Sequence, residues 1–338
     1  TEMQTTRTES ISSRPKLKTL FVGGGTPTHL PAKQLQQLMS LLHKTFNLED
    51  VEEFCVEANP ALFEEDKINV LAEAGVNRIS LGVQSFDAKI LQTLERDHSR
   101  EIIHSLVEKL RQQIPNVSLD LIFGVPGQSL ALWEETLREA INLHPKHLST
   151  YGLTFEKGTS FWKRKEKGEL TAAPEELERE MYALAMQMLA EAGFGQYEIS
   201  NFAQADFEST HNLIYWQGEE YFAFGPGAAR YLNGCREMNH RSTLTWLKRI
   251  QSGKSPVAES EHLTQEERAK ELIVFGLRLN KGVHRAEFKT KTGFDLETFA
   301  GDAIKKHLET GLIEENNLSL SLSEKGRFLA DMVVVDFL

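Results

Sequence analysis

Residues Thr19–Val22 are a short apolar run that stops abruptly at Gly23-Gly24-Gly25-Thr26-Pro27-Thr28. A run of that length bounded by glycines reads as a buried strand feeding a tight loop. Glycines let a loop take positive φ and bring its backbone close to a ligand. Three in succession also leave N–H and C=O groups bare enough to bind one. A plain strand-to-helix turn fits the glycines equally well, so the weight falls on the chain beyond Thr28.

From there to Leu153 strands and helices alternate. Residues 31–46 carry Leu35, Leu38, Met39, Leu41 and Leu42 at helical spacing, with Pro31 suited to a helix start. Residues 53–57 form a strand stopped by Asn59-Pro60, and 62–74 a helix ending at Gly75. A third strand, RISLGV at 78–83, precedes helical stretches at 87–95 and 101–113. A fourth, VSLDLIF at 117–123, ends in Gly124-Val125-Pro126-Gly127, and a helix at 131–143 leads to a fifth, HLSTYGL at 147–153. Alternating strands and helices at this spacing predict parallel strands with right-handed crossovers. Several strands end in polar or turn residues (the glycines, Glu57, Gln84, Gly124), and Asp120 lies inside its strand. A βα-barrel gathers its site in that way, from the carboxyl ends of many strands. A doubly wound open sheet would gather it at one switch point.

Beyond the alternation, residues 174–192 place Leu177, Met181, Leu184, Met188 and Leu189 on one helical face, expected to be core. Residues 193–231 are aromatic and glycine-rich. Helical stretches at 264–277 and 296–310, then 311–322 with alternating Leu318, Leu320 and Leu322, suggest a small winged-helix-type α+β module. It carries no basic recognition helix, so packing or partner binding is expected of it rather than DNA binding.

Composition narrows the partners. Of 338 residues, 40% are hydrophobic and 26% charged, as in ordinary globular proteins, and the net charge of −11 disfavours nucleic acid and anionic lipid. No apolar run approaches the roughly 18 residues of a membrane helix. Residues 1–18 are polar with Arg7 and Arg14, and lack the apolar core of a secretory signal; Glu2 and Glu9 argue against a transit peptide. Cys55 and Cys235, the two cysteines, form no metal or disulfide spacing, so a reducing, cytoplasmic setting is expected.

The ordered series GGGTPT, VEANP, GVQSF, DLIFGVPGQ, YEISNFA and HNLIYW resembles the radical S-adenosylmethionine (SAM) proteins related to oxygen-independent coproporphyrinogen III oxidase, most of all their HemW-type haem-chaperone branch. The resemblance covers residues 17 to 335 or so and implies a partial (β/α)6 barrel with a C-terminal extension. Domains are then expected at 1–17 (polar segment), 18–235 (barrel and extension) and 236–338 (C-terminal domain). Five of the six family strands are present, the first being the missing one. That strand leads into the CxxxCxxC loop holding the family's [4Fe-4S] cluster. No such motif occurs here, and neither Cys55 nor Cys235 can substitute. Because the other SAM-site residues are retained, the cluster segment is expected upstream of Thr1 rather than lost.

The resemblance also implies roles. Gly24, Gly25 and Thr26 match the loop that holds the SAM amino group through oxygen acceptors. Glu57 would contact the ribose or amino end, and Gly152 would bring backbone near the adenine. Gln84 and Arg96 match SAM-site positions, Arg96 being suited to a bidentate pair with the SAM carboxylate. Asp120, a carboxylate in an apolar strand, needs a ligand hydroxyl or a neighbouring cation, or else serves a structural hydrogen bond.

A second group comprises Glu198, Asn201 and the run His211 to Trp216, beyond which lies Gly225-Pro226-Gly227. In the family this run is tied to haem binding. His211 is a candidate axial ligand, with Tyr215 and Trp216 against the macrocycle, while a structural histidine remains the alternative. Relatives read GPGAHS where this chain reads GPGAAR, so Ala229 replaces a histidine whose role is lost or passes to His240. The acidic chain gives haem propionates no general attraction, so Arg230 or Arg236 is expected to supply local charge. Two functions are then open: a haem chaperone delivering haem to an acceptor protein, or an oxidase decarboxylating coproporphyrinogen III propionates.

Overall fold

A computed structural model describes residues 15–338; the polar segment before Pro15 lies outside the described residues. Two compact units divide the chain, one of residues 18–43 and 51–208, the other of residues 15–17, 44–50 and 209–338.

The first unit is a sheet of seven strands in the order β1-β2-β3-β4-β5-β7-β6, curled as a half-barrel. Strand β1 (Thr19–Val22) feeds the glycine loop and helix α1 (Ala32–Thr45); β2 (Glu53–Ala58) is followed by α2 (Glu65–Glu73). Strand β3 (Arg78–Gln84) leads to α3 (Ala88–Thr93) and α4 (Arg100–Gln113), and β4 (Asn116–Phe123) to α5 (Leu130–Asn142) and β5 (His147–Gly152). These five strands pair in sequence order, all parallel. Consecutive pairing without a reversal point is barrel topology, as the gathered strand ends predict. Next come α6 (Ser160–Glu166), α7 (Glu175–Glu191) and the hairpin β6 (Gly195–Glu198) and β7 (Asn201–Ala203). Here β7 pairs antiparallel with β5, an addition that three- and four-residue strands give no periodicity to reveal.

Alternation along the strands sorts the two faces. Ile79, Leu81 and Val83 of β3, and Val117, Leu119 and Leu121 of β4, are fully buried beneath Ile103, Leu110, Trp133 and Leu137 of the helices. Glu57, Ser80, Gly82 and Asp120 point the other way and are only half-buried. Trp133 Nε1 donates to Met181 O at 2.8 Å, tying α5 to α7. On α7 the buried face is Met181, Tyr182, Ala185 and Leu189; Leu177, Leu184 and Met188 flank it half-buried. The helix expected at 62–74 is shorter, because Pro60–Leu62 forms a 3-10 turn capped by the Asn59 side chain.

The second unit holds α8 (Thr210–Trp216), β8 (Ala229–Leu232), β9 (Cys235–Asn239), α9 (Thr243–Gln251) and β10 (Val257–His262), with a three-stranded antiparallel sheet β10-β9-β8. After these come α10 (Gln265–Arg278), opened by a Thr264/Glu267 capping box, β11 (Val283–His284), α11 (Arg285–Thr292), α12 (Leu296–Glu309), β12 (Ile313–Glu315), β13 (Ser319–Leu322), α13 (Glu324–Arg327) and α14 (Ala330–Val335). Helix, strand, two helices and hairpin is winged-helix order. Leu320 and Leu322 face the core as the alternation predicts, but Leu318 is exposed. It sits in the turn, where Asn316 Oδ1 accepts the Leu318 and Ser319 N–H groups. Among the described residues, no helix is long and apolar enough to cross a membrane.

Candidate functional site

The glycine loop is held from both sides. Gly24 N–H donates to Glu57 Oε2 at 3.1 Å, coupling the loop after β1 to the end of β2. Gly24 has φ +77°, which suits glycine, while Gly25 has open space around it. The tightly packed glycine is Gly23, where a Cβ would fall 2.6 Å from Glu57 Cδ. Beyond Thr26, Thr28 is fully buried; its Oγ1 accepts Asn59 N–H at 3.1 Å and its carbonyl accepts Lys67 Nζ at 2.8 Å. Sequence reading placed Gly23 and Thr28 in the loop without giving either a role of its own, and did not single out Lys67. Only the glycine run signals the first; the other two bond across dozens of residues.

Glu57 is pushed above the usual carboxylate range, first by burial and then by the charge of Asp120, against the Gly24 N–H. Asp120 is raised to about 6 by burial, opposed by hydrogen bonds from Ser149 and Ser80 and by the Arg78 charge. Ser80 Oγ lies 2.9 and 3.1 Å from the two Asp120 oxygens. The register explains the line: Glu57 pairs with Ser80, and Asp120 with Ser149. Gly24, Glu57, Ser80, Asp120 and Ser149 thus form one polar row across the strands. Gly152 pairs with Phe123, and a Cβ there would meet the Phe123 ring at 3.4 Å. Arg78 is a supporting group, 3% exposed, with Nη1 3.5 Å from Glu53 Oε2 and donating to Phe207 O at 3.1 Å.

Gln84 ends β3 at φ +64°, an uncommon conformation for a side-chain-bearing residue. Its amide folds back over Gly82, where a Cβ would lie 3.0 Å from Gln84 Nε2. The segment carrying Arg96 is fastened to this strand by His98, whose Nε2 donates to Val83 O at 2.9 Å. Arg96 lines a cavity of about 440 Å³ with Phe86, Leu91, His98 and Ser99. Among the described residues its guanidinium meets no carboxylate within ion-pair distance, so an anionic group can take it without displacing a partner.

In the second unit the run HNLIYW folds as α8, with Ser209 Oγ capping Asn212 N–H at 3.2 Å. Helical spacing puts Tyr215 one turn after His211; their rings meet edge to face at 5.0 Å, with His211 Nε2 2.9 Å from Tyr215 Oη. Burial pulls His211 down to about 4, so its imidazole is neutral at pH 7. Tyr215 meets Tyr221 edge to face at 4.7 Å. Trp216 packs inward, against Phe275 and beneath the Arg278 guanidinium at 4.6 Å. Glu198 and Asn201, grouped with His211 in the sequence, lie in the hairpin beside β5. The expected local cations are also engaged: Arg230 pairs with Glu237 at 2.5 Å, and Arg236 with Glu271. His240 comes next to the GPGAAR run, its carbonyl accepting Gly227 N–H at 3.1 Å.

The residues present do not fit a [4Fe-4S] cluster. Burial raises the Cys55 thiol far beyond the range where a thiolate forms, and Cys235 lies in the other unit. Among the described residues, no group of three His, Cys, Asp or Glu side chains could hold a metal ion.

Comparison with known proteins agrees with this architecture. The Radical SAM superfamily model matches residues 7–140, and the HemN C-terminal domain model residues 263–329. Over its whole length the chain is 38% identical to the Bacillus subtilis protein named "Heme chaperone HemW", spanning 89% of that relative. The chain belongs to the HemW family of haem chaperones. A Lactococcus lactis protein of the same name is 35% identical over 96% of this chain and 85% of its own. Coproporphyrinogen III oxidase (HemN) from Escherichia coli, described as a radical SAM enzyme, shares the fold at a TM-score of 0.83, with 20% identity over 95% of this chain and 78% of that one. At that identity the likeness speaks for the fold alone. It bears out the partial barrel with its C-terminal extension.

Proposed function

We propose that this HemW-family chain binds haem through α8 and passes it to an acceptor protein, in a reducing cytoplasmic setting, with SAM held at the carboxyl ends of the barrel strands. The observation that carries the haem reading is the His211–Tyr215 pair. A half-buried imidazole kept neutral at pH 7 retains the lone pair that iron requires. The weak bond to a tyrosine hydroxyl is exchangeable, which suits a carrier that must release its cargo.

For SAM, Gly24, Gly25, Thr26 and Glu57 would receive the amino end, Arg96 the carboxylate, and Asp120 a ribose hydroxyl, with Gln84 and Gly152 framing the adenosyl group. A carboxyl raised to about 6 by burial accepts a hydroxyl hydrogen bond without the full cost of a bare buried charge. Bound SAM supplies a sulfonium and an adenosyl group. The cluster that would cleave it does not fit the residues present.

Titration of the purified chain with haem, beside anaerobic incubation with coproporphyrinogen III, tests the reading. Stoichiometric Soret formation, transfer to an apo-haem protein and unchanged coproporphyrinogen support a chaperone. Loss of propionates as CO2 without a stable Soret complex would establish the oxidase instead.

A further inference from the structure

Next to α8 the second unit encloses a cavity of about 310 Å³, lined by Tyr215, Tyr221, Tyr231, Arg236, Arg268 and Glu271, among others. It continues a line of aromatic contacts that begins at His211. His211 touches Tyr215, Tyr215 touches Tyr221, and Tyr221 bridges Tyr231 through the backbone in both directions. The Arg268 guanidinium then lies over the Tyr231 ring at 4.4 Å. The candidate iron ligand and the Arg268 guanidinium are therefore linked through a series of three tyrosines.

The polar groups of this cavity are unevenly matched. Two guanidiniums stand at the largely buried Glu271 carboxylate: Arg236 is bonded to Glu271 Oε1 and also lies 3.6 Å from the exposed Glu261 Oε2, while Arg268 Nη1 is 3.6 Å from Glu271 Oε2, beyond hydrogen-bond reach. Glu271 Oε2 itself has no hydrogen-bond partner, and neither does the buried Trp216 Nε1–H. Arg268 donates to the Gly218 carbonyl and rests on Tyr231, leaving most of its five donors unused. The donors that Arg268 leaves unused inside this cavity can receive one further carboxylate.

Resting on the haem reading above, we propose that this cavity takes a propionate carboxylate of the porphyrin, bound by Arg268 and Arg236, and that Glu271 is an internal competitor holding Arg236 until haem arrives. Iron then sits toward His211 and the macrocycle lies along Tyr215 and Tyr221. Glu271 makes the binding reversible, because re-forming its pair with Arg236 favours release of the propionate.

The test compares haem, protoporphyrin IX (propionates without iron) and haem dimethyl ester (iron without free propionates), titrated in one buffer into wild type, Glu271→Gln and Arg268→Gln. A charge-assisted pair is worth tenfold or more in affinity. Haem and protoporphyrin IX should bind wild type about tenfold more tightly than the ester. Glu271→Gln, nearly the same shape, should strengthen both free acids and leave the ester unchanged. Arg268→Gln should weaken the free acids to the level of the ester. Equal wild-type affinity for haem and its ester, or weaker haem binding by a folded Glu271→Gln, overturns the propionate assignment while leaving the chaperone reading intact. Failure of wild type to bind any of the three overturns the chaperone reading itself.

Discussion

Gly24 and Glu57 lie thirty-three positions apart in sequence, yet the Gly24 N–H donates to the Glu57 carboxylate at 3.1 Å, closing the glycine loop over the end of the neighbouring strand. Space for that closure comes from Gly23. A Cβ there would fall 2.3 Å from a Phe21 ring carbon and 2.6 Å from Glu57 Cδ. Gly23→Ala should lower stability by about 1–3 kcal/mol through overpacking and weaken SAM binding. Gly25→Ala, with open space around it, should leave the thermal midpoint unchanged. Thermal unfolding of the two variants checks this; equal midpoints would show that the loop yields.

Asp120 has a folded-state pKa of about 6, above its ordinary 3.8, because burial disfavours the anion. The native state therefore holds the extra proton between about pH 4 and 6, and this group's contribution to stability is lost as pH rises through that window. Asp120→Asn removes the titration. The stability of the variant relative to wild type should rise by about 2 kcal/mol between pH 4.5 and 7.5. Denaturant melts at both pH values measure it, and a difference independent of pH would place the Asp120 pKa near its ordinary value.

Arg96 meets no carboxylate among the described residues within ion-pair distance and lines an open cavity. Arg96→Ala should reduce SAM affinity at least tenfold with little change in stability, since an engaged guanidinium–carboxylate pair is worth about 1.5–3 kcal/mol. Calorimetry with SAM and with decarboxylated SAM separates the contributions. If Arg96→Ala weakens both ligands alike, the arginine does not read the carboxylate.

His211 moves the other way with pH. Burial holds it at about 4 against an ordinary 6.5, so the unfolded chain takes up a proton that the native chain refuses. Its contribution to stability is present above about pH 6.5 and lost as pH falls toward 4. Haem ligation by this imidazole should persist on acidification to about pH 5, well below the midpoint of an exposed histidine. His211→Ala should shift the Soret band and reduce affinity. A His211→Ala spectrum identical to that of wild type across pH 5–8 would make His211 a structural residue.

Gly326 lies where a Cβ would come 1.8 Å from the Leu312 carbonyl oxygen, at the close approach of α13 to the turn between α12 and β12. Backbone cannot give way as a flexible side chain can, so Gly326→Ala should destabilise the second unit by roughly 2–4 kcal/mol. Limited proteolysis should then release a resistant fragment near residues 18–208. Unaltered protease resistance would count against the steric argument.

Much of the barrel was open to reading because its strands are covered by helices on one face. Ile79, Leu81 and Val83 keep their period of two, and the helices between strands keep theirs of 3.6. The short elements were not readable in that way. Helix α8 has seven residues, too few for helical periodicity to emerge from HNLIYW, and β6 and β7 are shorter still. Leu318 shows the opposite failure. It continues the alternation of Leu320 and Leu322, but the Asn316 turn directs it out to solvent.

Sequence by itself determined the order of parallel strands, the glycine loop at the first of them, and the residue types available for a ligand, because each depends on local spacing or on the motif series. Tertiary structure alone decided the partners. Lys67 reaches Thr28 across 39 positions, Ser80 reaches Asp120 across 40, and Arg236 reaches Glu271 across 35. It placed Glu198 and Asn201 in the hairpin beside β5, and gave Arg230 and Arg236 carboxylate partners. The physical reason is one of range. Backbone periodicity is set by neighbours three or four residues away, whereas the energy of a buried charge is set by whichever opposite charge the completed fold brings within a few ångströms.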